Sequence, residues 1–241
     1  MAHHRSSRTG RHRLPSMGSM PDRRVLATLL LAAFGVLAVG HLAAQLAGAT
    51  RLADITQWLL VPALAGALLT LTAGPRPRLV VLTLVALGCS WVGDTAPDLT
   101  GGDAAFLVMV GAFLLAQVAY IAAFWPDRRR SVLLVRRPLL TAYVLAVAAL
   151  VWACAPHAGP LLVPVLVYGL CLGAMAVLAT GVHPAAGVGG GLFLVSDGLI
   201  ALDAFAPGYH LAHHGFWVML TYVLAQALLV LGVVLRARET R

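Results

Sequence analysis

Eight apolar runs, each about 17 to 23 residues long, recur at 25–47, 57–73, 79–96, 105–125, 138–154, 160–180, 185–205 and 215–235. A run of this length crosses the hydrocarbon of a bilayer as a helix, and only a helix satisfies its own backbone polar groups there. A soluble core would instead alternate apolar and polar faces along its elements. Only 11% of the residues are charged and 60% are hydrophobic, which suits lipid-facing helices. The expected fold is therefore all-α, a polytopic membrane bundle of eight transmembrane helices in a single domain at 25–235. Residues 1–24, polar, basic and without periodicity, read as a disordered cytoplasmic tail. A short basic cytoplasmic tail is expected at 236–241. The first run is too long for a signal-peptide core and lacks a small-residue cleavage site, so it reads as a signal anchor.

The net charge of +8 raises the question of nucleic acid. All seventeen basic residues are arginine, and they stand in short blocks between the apolar runs with no aromatic interleaving. Sixteen of the seventeen fall on one face of an eight-span chain: the N-terminal tail, Arg76 and Arg78, Arg128 to Arg130 with Arg136 and Arg137, and the C-terminus. Only Arg51 falls on the other face, with Asp54, Asp98, Asp103 and the histidines near 210. The positive-inside rule then sets both termini in the cytoplasm, and no nucleic-acid partner is implied. An arginine-only, alanine-, glycine- and leucine-rich composition is that of a GC-rich bacterial gene, so a bacterial plasma membrane is the expected location.

Acids are scarce, yet Asp94 in "CSWVGDTAPD" and Asp197 in "GGGLFLVSDG" lie well inside the runs. Placing an Asp at the centre of a membrane helix costs on the order of 2.5 to 3.5 kcal/mol, so some compensating use is expected. From the cytoplasmic ends of their spans the two are sixteen and twelve residues deep, roughly 24 and 18 Å at about 1.5 Å per residue. They are thus placed to meet in the outer half of the bilayer. Each has a polar neighbour, Ser90 one turn before Asp94 and Ser196 beside Asp197. Spans four and eight add Gln117 with Tyr120, and Tyr222 with Gln226, at one-turn spacing. Facing inward together, these stripes would form a polar pocket walled by hydrocarbon, fit for a lipid head group or a proton relay. Taken one at a time, such residues also serve as hydrogen-bonding glue between membrane helices.

Other motifs point elsewhere. "GVGGGLFLVSDG" lacks the preceding strand and the Gly-Lys-Ser of a nucleotide loop, so close helix packing is the expectation. "HLAHH", with His210, His213 and His214, has no acidic or cysteine partner nearby, and no metal site is expected. Cys89, Cys154 and Cys171 read as small buried hydrophobes, and His41 as a packed, hydrogen-bonded residue.

Taken in order, "LGCSWVGDTAPDL", "FLVMVGAFLLAQVAYIAAF", "GGGLFLVSDGLIAL" and "LTYVLAQALLVLG" resemble the YhhN-like lysoplasmalogenase family of membrane proteins, over about 25–235. The family's Gly-Asp motif falls on Gly93 and Asp94, its Ser-Asp motif on Ser196 and Asp197, and its terminal Tyr and Gln on Tyr222 and Gln226. Two positions depart from the pattern. Val61 and Pro62 stand where a Lys-Pro is common, and Ala116 and Gln117 where an Ala-His is frequent. The resemblance implies hydrolysis of the vinyl ether bond of a lysoplasmalogen, giving a fatty aldehyde and a glycerophospho head group. It implies a lysophospholipid substrate, a setting among membrane lipids and no cofactor. Asp94 and Asp197 are then the catalytic pair, with Ser90, Gln117, Tyr120, Ser196, Tyr222 and Gln226 as substrate-binding residues. Protonating the vinyl carbon needs one neutral carboxyl, and directing water needs one ionised carboxylate. A low-dielectric site with two neighbouring carboxyls favours that division. Asp197, nearer the middle of its span, is the better candidate for the acid. Two further classes fit the same residues: a proton-coupled transporter using the aspartates as a relay, and a catalytically silent membrane scaffold. Spans three and seven echo one another four spans apart, so any repeat would be parallel, whereas inverted repeats are common among such transporters.

Overall fold

The computed structural model describes residues 22–72, 74–100 and 102–240, with residues 100 and 102–104 given by their backbone. The expected tail at 1–24 lies outside the described residues but for its last three. Among the described residues nine α-helices follow in order: α1 (Arg23–Ala47), α2 (Thr50–Leu71), α3 (Arg78–Thr100), α4 (Gly102–Phe124), a one-turn α5 (Val132–Val135), α6 (Arg137–Cys154), α7 (Leu162–Val182), α8 (Pro184–Phe205) and α9 (His214–Glu239). Eight stretches among them are long and apolar enough to cross a membrane, at the places where the sequence predicts spans. The protein is a multi-pass, all-helical membrane protein.

Local chemistry sets the breaks. Asp22 caps α1 by accepting from the Arg24 amide at 3.2 Å, and Gly48 closes the same helix in the left-handed region at φ 67°. Between α7 and α8 there is one residue, His183, in extended conformation. Its Nδ1 accepts from the Ala185 amide at 3.1 Å, and Pro184 opens α8, where a missing N–H costs nothing. "GVHP" therefore separates two spans despite its shortness.

The hairpins α1–α2, α3–α4 and α8–α9 are the closest neighbours, and α7 joins the last two pairs by packing on both α4 and α8. Helix α9 touches α1, α2, α3, α7 and α8 and has the most enclosed apolar stretch of the spans, whereas α6 has the least. Glycines set the closest approaches. A Cβ at Gly189 would stand 2.8 Å from the Ala225 carbonyl oxygen on α9, and one at Gly190 would stand 2.9 Å from the Ala176 Cα on α7. The glycine run in "GVGGGLF" is thus a helix-packing surface, as its sequence suggests.

The eight long apolar helices alternate in direction, so the end of α4 and the end of α9 fall at the same end of the bundle. The turn after α4 meets the end of α9 there: Arg236 Nη2 lies 2.6 Å from Asp127 Oδ1, both largely shielded from solvent. Two arginine-rich segments are therefore on one face. At the opposite face Trp58 Nε1 donates to Asp98 at 2.9 Å, and Trp91 Nε1 donates to the Trp58 carbonyl at 2.9 Å.

Candidate active site

Asp94 on α3 and Asp197 on α8 are both buried in the bundle, each 7% exposed, and lie within electrostatic reach of one another. They are brought to the same region by an aromatic cluster. Gly93 presents bare backbone to α4, so close that a Cβ there would stand 2.8 Å from the Phe113 ring. That ring meets Tyr222 edge-to-face at 5.9 Å and Phe193 at 6.2 Å, and Phe193 meets Tyr222 at 5.6 Å. Each such pair contributes about 0.5–1.5 kcal/mol beyond the area it buries. The glycine of the Gly-Asp motif thus admits the ring that ties α3, α4, α8 and α9 together.

Each carboxyl has its own tyrosine. Tyr222 donates to Asp94 Oδ2 at 2.7 Å, Gln226 Nε2 donates to the Tyr222 hydroxyl at 3.2 Å, and Tyr120 donates to Gln226 Oε1 at 2.7 Å. These four residues form one line of hydrogen bonds across α3, α4 and α9. Gln57 on α2 adds a bond to the Asp94 carbonyl at 3.2 Å. At Asp197 the donor is Tyr168 of α7, whose hydroxyl is bonded to Oδ2. Sequence reasoning passed over both Tyr168 and Gln57. The signal for Tyr168 is a lone hydroxyl in the apolar run "PVLVYGLCLG", of the same kind as those of Tyr120 and Tyr222.

The remaining predicted residues divide. Ser196 donates to the Val218 carbonyl at 3.0 Å and so joins α8 to α9. Tyr120 and Gln226 satisfy one another a step away from the carboxyls. Ser90 and Gln117 differ: both are fully buried, and neither the serine hydroxyl nor either amide atom of Gln117 has a hydrogen-bond partner of acceptable geometry. Gln117 nonetheless faces the Tyr168 hydroxyl closely enough to interact with it. The Gly93–Phe113 contact fixes the antiparallel register of α3 and α4. Stepping back to Ser90 and on to Gln117 moves about one turn in the same direction along that seam. Leaving a polar group buried without a partner costs about 1–3 kcal/mol, and Ser90 and Gln117 place three such atoms along the α3–α4 seam.

Asp197 and Tyr168 also line an apolar cleft that runs between α4, α6, α7 and α8, with Phe106, Met109, Phe113, Val165, Ile200 and Phe205 among its walls. Asp94 is not among its lining residues. Among the described residues no three His, Cys, Asp or Glu side chains gather as metal ligands. His213 opens α9 in the left-handed region at φ 56°, and His214 Nδ1 lies 3.4 Å from the Tyr209 hydroxyl. His41 is packed as expected, its Nδ1 3.0 Å from both the Ala53 carbonyl and the Thr56 hydroxyl.

Against known proteins, residues 52–233 match the sequence profile of the YhhN family. The chain belongs to the YhhN family. A curated relative, the human lysoplasmalogenase TMEM86B, is 34% identical over 148 residues. That alignment covers 61% of this chain and 61% of the relative's length. No solved structure matches the chain. For this YhhN protein the matched segment includes all of α3 to α8 and most of α2 and α9, and hence every residue of the two carboxyl–tyrosine pairs. The departures also take on a physical meaning. Val61, where a lysine is common, is buried in the apolar core, and Gln117, where a histidine is frequent, is the unpartnered amide beside Tyr168.

Proposed function

We propose that this YhhN protein is a lysoplasmalogenase-like hydrolase that cleaves the vinyl ether bond of a single-chain lysophospholipid within the membrane. The observation that carries the reading is Asp197, a hydrogen-bonded carboxyl opening on an apolar cleft of the sort a fatty chain occupies. Similarity to a lysoplasmalogenase supports the choice of substrate class.

In this reading the alkenyl chain lies in the cleft, with its vinyl ether at Asp197. Neutral Asp197 gives its proton to the β-carbon of the vinyl group, leaving an oxocarbenium ion. Asp94, held by Tyr222, stabilises that charge and takes a proton from a water, whose oxygen bonds to the cationic carbon. Gln117 and Ser90, the unpartnered polar side chains beside the two carboxyls, hold that water. The resulting hemiacetal collapses, its hydroxyl proton returning to Asp197 while Asp94 protonates the departing glycerol oxygen. The products are an aldehyde and a glycerophospho head group, and both carboxyls are restored. Tyr168 and Tyr222 hold the two carboxyls in place by presenting a fixed donor to each.

The membrane domain in this reading is 25–235, flanked by basic segments 1–24 and 236–241, with the arginine-bearing face toward the cytoplasm of a bacterial plasma membrane. Incubating purified protein with a vinyl ether lysolipid and with its saturated ether analogue tests the function. Aldehyde release from the first alone is expected. Equal inertness of both, in protein shown to be folded, would return the choice to a proton-coupled transporter or a silent scaffold.

A further inference from the structure

Helix α6 is the least enclosed span, and a groove runs down each of its sides. One lies between the α5–α6 segment and α8: Val135 of α5 and Leu139 and Tyr143 of α6 face Val188 across Gly187 and Gly191. The second lies between α6 and α7, where Leu140, Val144 and Val147 face Leu166, Leu170 and Gly173. Tyr143 borders both, its hydroxyl 3.6 Å from where a Cβ on Gly191 would stand. Both grooves begin at the α5–α6 elbow, where Arg130 and Arg136 stand exposed at the mouth of the first.

We propose that this flank seats a two-chain anionic phospholipid, its phosphate on Arg130 and Arg136 and one acyl chain in each groove. Two grooves on either side of one helix match two chains leaving one glycerol. The guanidinium fork is suited to phosphate oxygens. Arg130 is only at the edge of ion-pair distance from Asp127, at 4.0 Å, and among the described residues Arg136 has no ion-pair partner. Five arginines at 128–130, 136 and 137 against Asp127 make the elbow strongly positive. That charge favours a head group without a compensating cation.

The phosphate end of the site is distant from the carboxyl pair, although Val151 lines both the α6–α7 groove and the Asp197 cleft. Arg136 is fifteen residues from Val151, an α6 residue on the Asp197 cleft, which is roughly 22 Å along a helix. The phosphate and the vinyl ether of one lysolipid, joined through a glycerol, cannot span that distance. The inference therefore stands or falls independently of the hydrolase reading.

The test uses the full chain in detergent, followed by native mass spectrometry with diacyl phosphatidylglycerol, diacyl phosphatidylcholine, lysophosphatidylglycerol and inorganic phosphate as probes. One diacyl phosphatidylglycerol per chain should be retained, and the Arg130→Gln/Arg136→Gln variant should lose it by roughly thirtyfold in affinity, as two arginines at a membrane surface imply. Val188→Trp, which fills the α6–α8 groove and leaves the arginines intact, should weaken retention as well, and it carries the test if the double variant does not fold. Equal retention of phosphatidylcholine, equally tight binding of the lysolipid, displacement by millimolar phosphate, or unchanged binding in the folded variants would each overturn the proposal.

Discussion

The Tyr222 hydroxyl on α9 donates to the Asp94 carboxyl on α3 at 2.7 Å, joining side chains 128 residues apart in the chain. Asp197 on α8 has the matching arrangement with Tyr168 on α7. Two acids that would be intolerable in hydrocarbon alone are each held by a phenol, and the phenols come from different helices. Tests of the site begin from this pairing.

Asp94→Asn and Asp197→Asn should each lower turnover by about 10²–10⁴-fold, the range a positioned acid or base contributes. Asn preserves shape and can accept the tyrosine's hydrogen bond, so expression, monodispersity and thermal unfolding should stay near wild type. Aldehyde release from a vinyl ether lysolipid is the measurement. Near-wild-type turnover in either variant would remove that residue from the mechanism.

Tyr168→Phe and Tyr222→Phe remove one hydroxyl each. A hydrogen bond to a charged group contributes about 1.5–3 kcal/mol, so a fall of roughly ten- to a hundredfold in kcat is expected, with little change in KM. Combining Tyr222→Phe with Asp94→Asn should cost little more than Asp94→Asn alone, because the phenol acts through that carboxyl. Full additivity in the double variant would mean that Tyr222 acts elsewhere.

Heavy water should slow the reaction, since a proton reaches carbon in the first step. The aldehyde, trapped as it forms, should carry one deuterium on the carbon next to its carbonyl. Mass spectrometry of the trapped product reads this directly. Aldehyde without that deuterium, or fatty acid released from an acyl lysolipid, would point to different chemistry.

Gly189→Ala should destabilise the bundle by about 1–3 kcal/mol, the usual cost of overpacking. The new methyl would meet the backbone of α9, at the Ala225 carbonyl oxygen 2.8 Å away and the Leu229 nitrogen 2.9 Å away, and backbone has no rotamer through which to yield. Gly35→Ala, where a Cβ has open space, is the control and should be close to neutral or better. Thermal unfolding in one detergent compares the two.

Cysteine labelling of intact cells tests the orientation, in a background lacking Cys89, Cys154 and Cys171. Arg129 and Ala212 are both exposed and lie on opposite faces of the bundle. Ala212→Cys should react with an impermeant reagent and Arg129→Cys should not, because arginine-rich loops resist translocation. The reverse pattern would invert the protein in the membrane. Ser131, in the same loop, is a poor reporter: it is buried, and its hydroxyl caps α5.

The number of spans, the two acids within them and the family were all legible in the amino-acid sequence, because hydropathy over some twenty residues and the rarity of intramembrane charge are local properties. Which side chains meet is a different matter. Ser90, Gln117, Ser196, Tyr120 and Gln226 are alike as polar residues on inward stripes, yet Ser196 is bonded to the Val218 carbonyl, Tyr120 and Gln226 to one another, Gln117 faces the Tyr168 hydroxyl, and the Ser90 hydroxyl has no partner of acceptable geometry. Tyr168 became significant only through Asp197, twenty-nine residues away. Those outcomes depend on how each helix is rotated about its axis. Rotation is set by contacts between helices distant in sequence, at Gly93 against Phe113, Gly189 against α9 and Gly190 against α7. A turn of about 100° per residue is enough to move a side chain from the seam to the lipid. Periodicity can therefore nominate a polar stripe, and only packing decides which of its members reach the carboxyls.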